Sequence, residues 1–374
     1  MQNNKFEQIP MVDLKEEAKL LRNPLLTELT EVLNSGGYIL GEKGKKLEEV
    51  TSSYLGTSYS LGVGNGTDAL ILALKALDIG PGDEVITTPF TFFATAEAIA
   101  QTGAKPVFVD IEETTYNIDP EKLEEKITHH TKAIMVVHLF GQAANMQEIK
   151  RIASDNNLYV IEDACQAFGT EYHGKKAGAI GDIGCFSFFP SKNFGAFGDG
   201  GLVTTNQKVW YEKINILRNH GSEQKYHHAA IGMNSRLDEF QAAILLTKFI
   251  YLDSYLHKRI EIARRYTHSF NNLFKTPAIP ENRRHTFHQY CIELDKRDEL
   301  AKELNNNGIA SAIYYPIPLH LQKAFHYLDY QKGDFPIAEK AAQRILALPI
   351  SPTLSVEKQD YIISVVKKFA ENNG

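Results

Sequence analysis

Lys192 lies in CFSFFPSKNFGAFGDGG as the only charged residue between Asp182 and Asp199, among aromatics, small residues and glycines. Such a setting predicts burial. An ammonium withdrawn from water tends to give up its proton, leaving an amine that is nucleophilic towards carbonyl carbon, the property a Schiff-base lysine needs. The same letters also suit a solvated lysine on a glycine-rich loop, so Lys192 needs partners before it implies chemistry. One candidate partner is VGNGTDALILALKAL, where a strand end at Val63 passes through Gly64, Asn65 and Gly66 into a helix beginning near Thr67. Free amides at a helix start bind phosphate, glycines let the backbone approach the anion, and the Thr67 hydroxyl adds a donor. The plain alternative is a tight turn with Thr67 or Asp68 capping the helix.

Further candidates follow along the chain. In LYVIEDACQAFG, Glu162 and Asp163 end an apolar strand at the edge where open α/β sheets bind ligands. A carboxylate there can pair with a protonated ring nitrogen and keep that ring an electron sink, and Gln166 can reach a ring substituent; a loop cap is the ordinary reading of such an acid. Phe92, just inside a helix in PFTFFATAEAIAQTG, offers a face for stacking on a flat ring, although Phe90, Phe92 and Phe93 suit a core equally well. In GMNSRLDEFQAAIL, Ser235 and Asp238 match a capping signature, which leaves Asn234 unexplained.

The elements that must position these residues read as an α/β arrangement. Strand-like runs centre on Val85, Phe108, Met135, Val160, Phe186 and Val203, and helix-like segments at Thr91–Gln101, Pro120–Ile127 and Met146–Asn156 lie between them. That is the order of a mainly parallel sheet covered on both faces. A helical stretch free of Gly and Pro runs from about Leu237 to Leu273. Beyond it, strands near Gln289–Leu294 and Ser311–Tyr315 and helices near Asp298–Asn306 and Val356–Ala370 predict a smaller α+β C-terminal domain. The division expected is a large domain over 1–250 and a small one over 251–374.

Composition narrows the function classes. A net charge of -6 over 374 residues offers no basic surface for nucleic acid or an anionic membrane, while leaving room for a local phosphate pocket. No run approaches the roughly 18 to 20 apolar residues that span a bilayer, and no secretory leader is recognisable, so a cytoplasmic location is expected. Cys165, Cys185 and Cys291 form no CxxC pair, and the 13 histidines, including His285 and His288, make no metal signature, so no metal is expected. The GVGNGT stretch approximates a dinucleotide fingerprint, but Thr67 stands where the third glycine belongs, and Asp83 and Glu84 precede their strand instead of following it.

Taken in order, GNGTDAL, TFFATAEA, EDACQAFG, SFFPSKNFGAFGDGG and NSRLDEFQAA resemble the DegT-type sugar aminotransferases along nearly the whole chain. The resemblance implies the aspartate-aminotransferase fold (fold type I), a homodimer with shared active sites, and pyridoxal 5'-phosphate as cofactor. It implies that Lys192 forms the internal aldimine and moves the proton, that Asp163 binds the pyridine nitrogen and Gln166 the phenolic oxygen, and that Phe92 stacks on the ring. Gly66, Thr67 and Ser187 would hold the phosphate, with Asn234 of a partner subunit. L-Glutamate would donate the amine to a keto sugar linked to UDP or dTDP, as in surface-glycan, lipopolysaccharide or antibiotic sugar synthesis. The NGTDAL form, with Asp68, favours carbon 3 of the sugar over carbon 4. Family-like segments around Tyr38, Tyr315 and His320 make these residues expected substrate contacts, although packing is their plain reading. Phe168 departs from the family, where many members have His, and is expected to reshape the pocket near the ring. Relatives that act as dehydratases carry His in place of the lysine, so Lys192 favours transamination. The rival readings are a cofactor-holding regulatory protein without turnover and a nicotinamide-dependent oxidoreductase.

Overall fold

The computed structural model describes residues 8–373. Seven strands build the central sheet: β1 (Tyr59–Val63), β2 (Glu84–Thr87), β3 (Lys105–Phe108), β4 (Thr131–Val137), β5 (Tyr159–Asp163), β6 (Ile183–Ser187) and β7 (Gly201–Thr205), in the order β1-β7-β6-β5-β4-β2-β3. All neighbours pair in parallel except β7, which runs antiparallel to both β6 and β1. Strand alternation explains why both faces are apolar. In β4, Ala133 and Met135 pack with Leu70, Leu74 and Ile99 on one face, while Ile134 and Val136 pack with Met146, Ile149 and Ile152 on the other. The edge position of β1 also removes the dinucleotide reading, because its antiparallel partner β7 excludes the central parallel strand of such a unit.

The expected helix over Pro120–Ile127 is instead two short 3-10 turns, Pro120–Lys122 and Glu124–Lys126, anchored by the enclosed Leu123. The long stretch after Leu237 is two helices, Glu239–Phe249 and Leu252–Phe270, separated at Ile250 and Tyr251. The second of these turns Leu252, Leu256, Ile262, Tyr266 and Phe270 inward, the spacing of an apolar stripe. Ile262, Tyr266 and Phe270 join a C-terminal core with β8 (Tyr290–Glu293), which pairs antiparallel with β9 (Ile345–Leu348), and with the helices Arg297–Asn306 and Val356–Asn373, while Leu252 and Leu256 pack with Phe168 and Phe194. Ile9 is buried in this same core and bridges to Ile309, so the described N-terminal segment is pinned to the C-terminal part of the chain. No strand forms over Ser311–Tyr315. One bridge, Ala312 to Ala347, joins it to β9 before the chain swings away. No described helix is long and apolar enough to cross a membrane.

Candidate active site

The parallel strands β2, β4, β5 and β6 end on one side of the sheet, and the segments leaving them enclose a cavity of about 930 Å³. Its wall includes Gly66, Thr67, Phe92, Asp163, Gln166, Ser187, Lys192 and Tyr315. Eight residues singled out in distant parts of the sequence therefore meet at the carboxyl edge of the sheet, where α/β folds bind ligands.

The helix Gly66–Ala76 starts at this cavity. Its cap is Asn65, not Thr67 or Asp68; Asn65 Oδ1 accepts from the Asp68 amide at 2.8 Å. Among the described residues the first-turn amides of Gly66 and Thr67 remain without an acceptor, as the first amides of a helix must unless a ligand takes them. Gly66 must be glycine for a steric reason. A Cβ there would lie 2.7 Å from Ser187 Cβ and 3.0 Å from Cys165 Sγ, filling the cradle.

Asp163 ends β5 and is 6% exposed. Thr95 Oγ1 donates to its Oδ2 at 2.7 Å and the Cys165 amide to its Oδ1 at 3.2 Å. Thr95, which the sequence reading passed over, shares a hydrogen bond with Thr91 at 3.0 Å; threonines four apart where a helix follows β2 are the signal that could have found it. Gln166 is fixed at both ends, Oε1 accepting from the Phe140 amide at 2.9 Å and Nε2 donating to the Tyr315 hydroxyl at 3.0 Å. Bringing Tyr315 to this bond is where the chain leaves β9. Burial pushes the Tyr315 phenol above its ordinary value. Phe92 is exposed to the cavity, 6.3 Å from the Tyr315 ring centre, and lies before the helix, which begins at Ala94 and not at Thr91.

Lys192 is held by its own amide, which donates to the Phe189 carbonyl at 2.9 Å. Part of the residue reaches the cavity wall, but its head group is desolvated. Burial pulls the ammonium below its ordinary 10.5, against the opposing influence of the Cys165 thiol and the Asp163 carboxylate.

The other expected residues lie elsewhere. His320 is 1% exposed, donates through Nε2 to Glu339 Oε1 at 3.0 Å, and packs edge-on against Phe335; it is a packed histidine away from the cavity wall. Tyr38 is exposed, stacks on Phe240 and does not line this chain's cavity. Phe168 faces away from the cavity into a cluster with Phe186, Phe188 and Phe194, so it does not reshape the wall. Ser235 does not cap a helix: Asp238 does, while Ser235 Oγ accepts from the Gly64 amide at 2.9 Å. Asn234 is exposed and lies off the wall, next to Met233, which is on it.

Residues 20–367 match the DegT/DnrJ/EryC1/StrS aminotransferase family. The chain belongs to that family. Among its relatives, a protein of Geobacillus stearothermophilus named pleiotropic regulatory protein is 49% identical over 96% of this chain and 98% of its own. The UDP-N-acetyl-3-dehydro-alpha-D-glucosamine 3-aminotransferase of Acidithiobacillus ferrooxidans is 46% identical over 96% and 97%. S. venezuelae DesV, solved in complex with a ketimine intermediate, matches with a TM-score of 0.96 and 38% identity, over 98% of this chain and 99% of that one. NtdA of Bacillus subtilis, solved with bound cofactor PMP, matches with a TM-score of 0.92 and 34% identity, over 99% and 87%. This DegT/DnrJ/EryC1/StrS member is thus a pyridoxal-phosphate-dependent aminotransferase of the same α/β fold. Its cavity fits that cofactor: a glycine cradle with two free amides for a phosphate, a buried carboxylate for a ring nitrogen, and a desolvated lysine.

Proposed function

We propose that this enzyme moves an amino group from L-glutamate to carbon 3 of a keto sugar carried by UDP or dTDP, for a surface-glycan, lipopolysaccharide or antibiotic sugar. The observation that carries the reading is the convergence of Lys192, Asp163, Gln166 and Gly66 on one wall of a cavity far larger than a small keto acid needs. The outer wall, with Glu97, Gln101, Ile313 and Gln322, leaves room for a sugar and part of a nucleotide. A relative named for amination at carbon 3 of a UDP-sugar, 46% identical, supports the same position here.

In this reading Gly66, Thr67 and Ser187 would hold the cofactor phosphate, Phe92 would cover the ring, and Gln166, steadied by Tyr315, would meet the ring oxygen. Asp163 keeps the ring nitrogen protonated. The bound cofactor supplies the electron sink for an amino-acid carbanion. Lys192 would hold the cofactor and would move the proton, as general base and general acid in turn. Asn234, exposed and off its own cavity wall, would reach the phosphate of the partner subunit in a homodimer, and Tyr315 would contribute to substrate binding.

The test is the near-visible absorbance of the purified, cofactor-loaded protein before and after L-glutamate. The expected result is a band that shifts to shorter wavelength with glutamate and returns when a 3-keto UDP- or dTDP-sugar is added. A band that ignores glutamate removes the donor; one restored only by 4-keto sugars removes the carbon assignment. A second reading, a regulator that holds the cofactor without turnover, is favoured by the name of the 49% identical relative. It predicts a band inert to every amino donor.

A further inference from the structure

Two polar atoms in the segments that carry Lys192 and His288 lack a partner. His288 lines the cavity at 5% exposure, and its Nδ1 is enclosed without a hydrogen bond. Asn193, the residue after Lys192, is 9% exposed, and its Oδ1 is in the same condition. Buried polar atoms of this kind are uncommon, and each one calls for an explanation.

The backbone on both sides of the pair is fixed. Asn193 Nδ2 donates to the Thr286 carbonyl at 3.1 Å, tying the lysine segment to the histidine segment. Thr286 is fixed in turn, its amide donating to the Gly141 carbonyl at 2.9 Å and its hydroxyl sharing a hydrogen bond with Thr170 at 2.8 Å. From behind, the buried Arg259 donates through Nη1 to the carbonyls of Phe287 at 3.2 Å and Ile350 at 3.1 Å, fixing the residue before His288. The titratable groups around the imidazole are Lys192 and Arg259, with the Asp163 carboxylate on the same cavity wall. Burial first, and then the basic groups Lys192 and Arg259, hold His288 well below its ordinary 6.5, so it stays neutral. A neutral imidazole has one donor and one acceptor nitrogen. It can therefore hydrogen-bond an amine without adding charge or taking its proton.

We propose that His288, with Asn193 Oδ1, is a seat for the Lys192 amine: a positioning residue that holds the lysine in line whenever it is detached from the cofactor. A freed lysine has four flexible bonds, and proton transfer needs it within hydrogen-bond reach of its target. The inference rests on the reading of Lys192 as the cofactor-bearing lysine.

The experiment reads the free lysine directly. Pyridoxal phosphate is added to the cofactor-free full-length chain, and the rate at which the near-visible band forms is followed in the wild type and in Lys192→Ala, His288→Leu, His288→Gln and Asn193→Ser. Lys192→Ala is expected to form no such band; a normal band there fails the reading of Lys192 itself and leaves nothing for a seat to hold. His288→Leu is expected to slow band formation about tenfold to a hundredfold, as misplacement of a reacting group does. His288→Gln, a neutral hydrogen-bonding substitute, stays within about threefold of the wild type, and Asn193→Ser slows about tenfold. Rates against pH for the wild type and His288→Gln should superimpose between about pH 5 and 8. Unchanged rates in His288→Leu, or in Asn193→Ser should the leucine variant not fold, overturn the seat. So does a pH limb present only in the wild type, which would make His288 a titrating acid or base.

Discussion

On strand β5 two acids stand side by side and face opposite sides of the sheet. Glu162 is fully enclosed and accepts from the His138 Nε2 at 2.8 Å and from the amides of Gly178, Ile180 and Gly181 at 2.8, 2.7 and 2.6 Å. The Ala144 amide donates to His138 Nδ1 at 3.2 Å, which puts the imidazole proton on Nε2, where it serves Glu162. Among the described residues Asp163 receives the Thr95 hydroxyl and the Cys165 amide, and it opens onto the cavity. A carboxylate whose lone pairs are all taken from within stabilises the fold. One left with capacity at a cavity wall is available to a ligand, and the sheet's alternation assigns the two roles to adjacent residues.

The largest separation between them is expected in turnover. Asp163→Ala should lower the rate by about 10³-fold, the scale of losing one preorganised electrostatic partner, with a melting temperature close to that of the wild type. Near-normal turnover in steady-state assays would remove Asp163 from the ring-nitrogen role.

Glu162→Gln should do the reverse. Its amide would face donors with a donor, and breaking a buried, fully bonded pair costs about 3 kcal/mol or more, while the folded fraction keeps wild-type turnover. The pH dependence has a definite sign. Burial works against the Glu162 carboxylate, but His138 and the backbone amides outweigh it and hold it below its ordinary 4.5. Its contribution is therefore complete above that value and is lost as pH falls through the lowered folded-state value. Denaturant titrations should show a wide stability gap between wild type and Glu162→Gln at about pH 7 that narrows towards about pH 3; a gap that widens on acidification would break the comparison.

How much of this was legible beforehand follows from the physics of each position. Lys192, Asp163, Gly66 and Gln166 sit where local pattern and place agree: an apolar strand ends, a glycine turn enters a helix, a charge is set among aromatics. Cap positions slipped because Asn65, Thr67 and Asp68 are all capping types, and only the three-dimensional turn selects Asn65. His320 was misplaced because its partner, Glu339, comes from a later helix and nothing near His320 in sequence reports that contact. His288 was visible as a letter in FHQYCI, but its orphan nitrogen is a tertiary property.

The smallest effect should come from Phe168, which follows the cavity residue Gln166 by two positions and yet belongs to the far side of the wall. Its ring lies 4.7 Å from Phe194 and 5.2 Å from Phe186 and stacks on Tyr54 at 5.8 Å, with 5% exposure. Phe168→His would put an imidazole with hydrogen-bonding nitrogens into this apolar cluster, costing about 1–2 kcal/mol of stability. Turnover and the near-visible band of the cofactor-loaded protein should stay within about twofold of the wild type, because no atom of the cavity wall changes. A shifted absorption maximum or a tenfold rate change would mean that the aromatic cluster transmits its packing through Ala167 to Gln166, and the boundary between structural and catalytic sides of this segment would then have to be drawn inside the cluster.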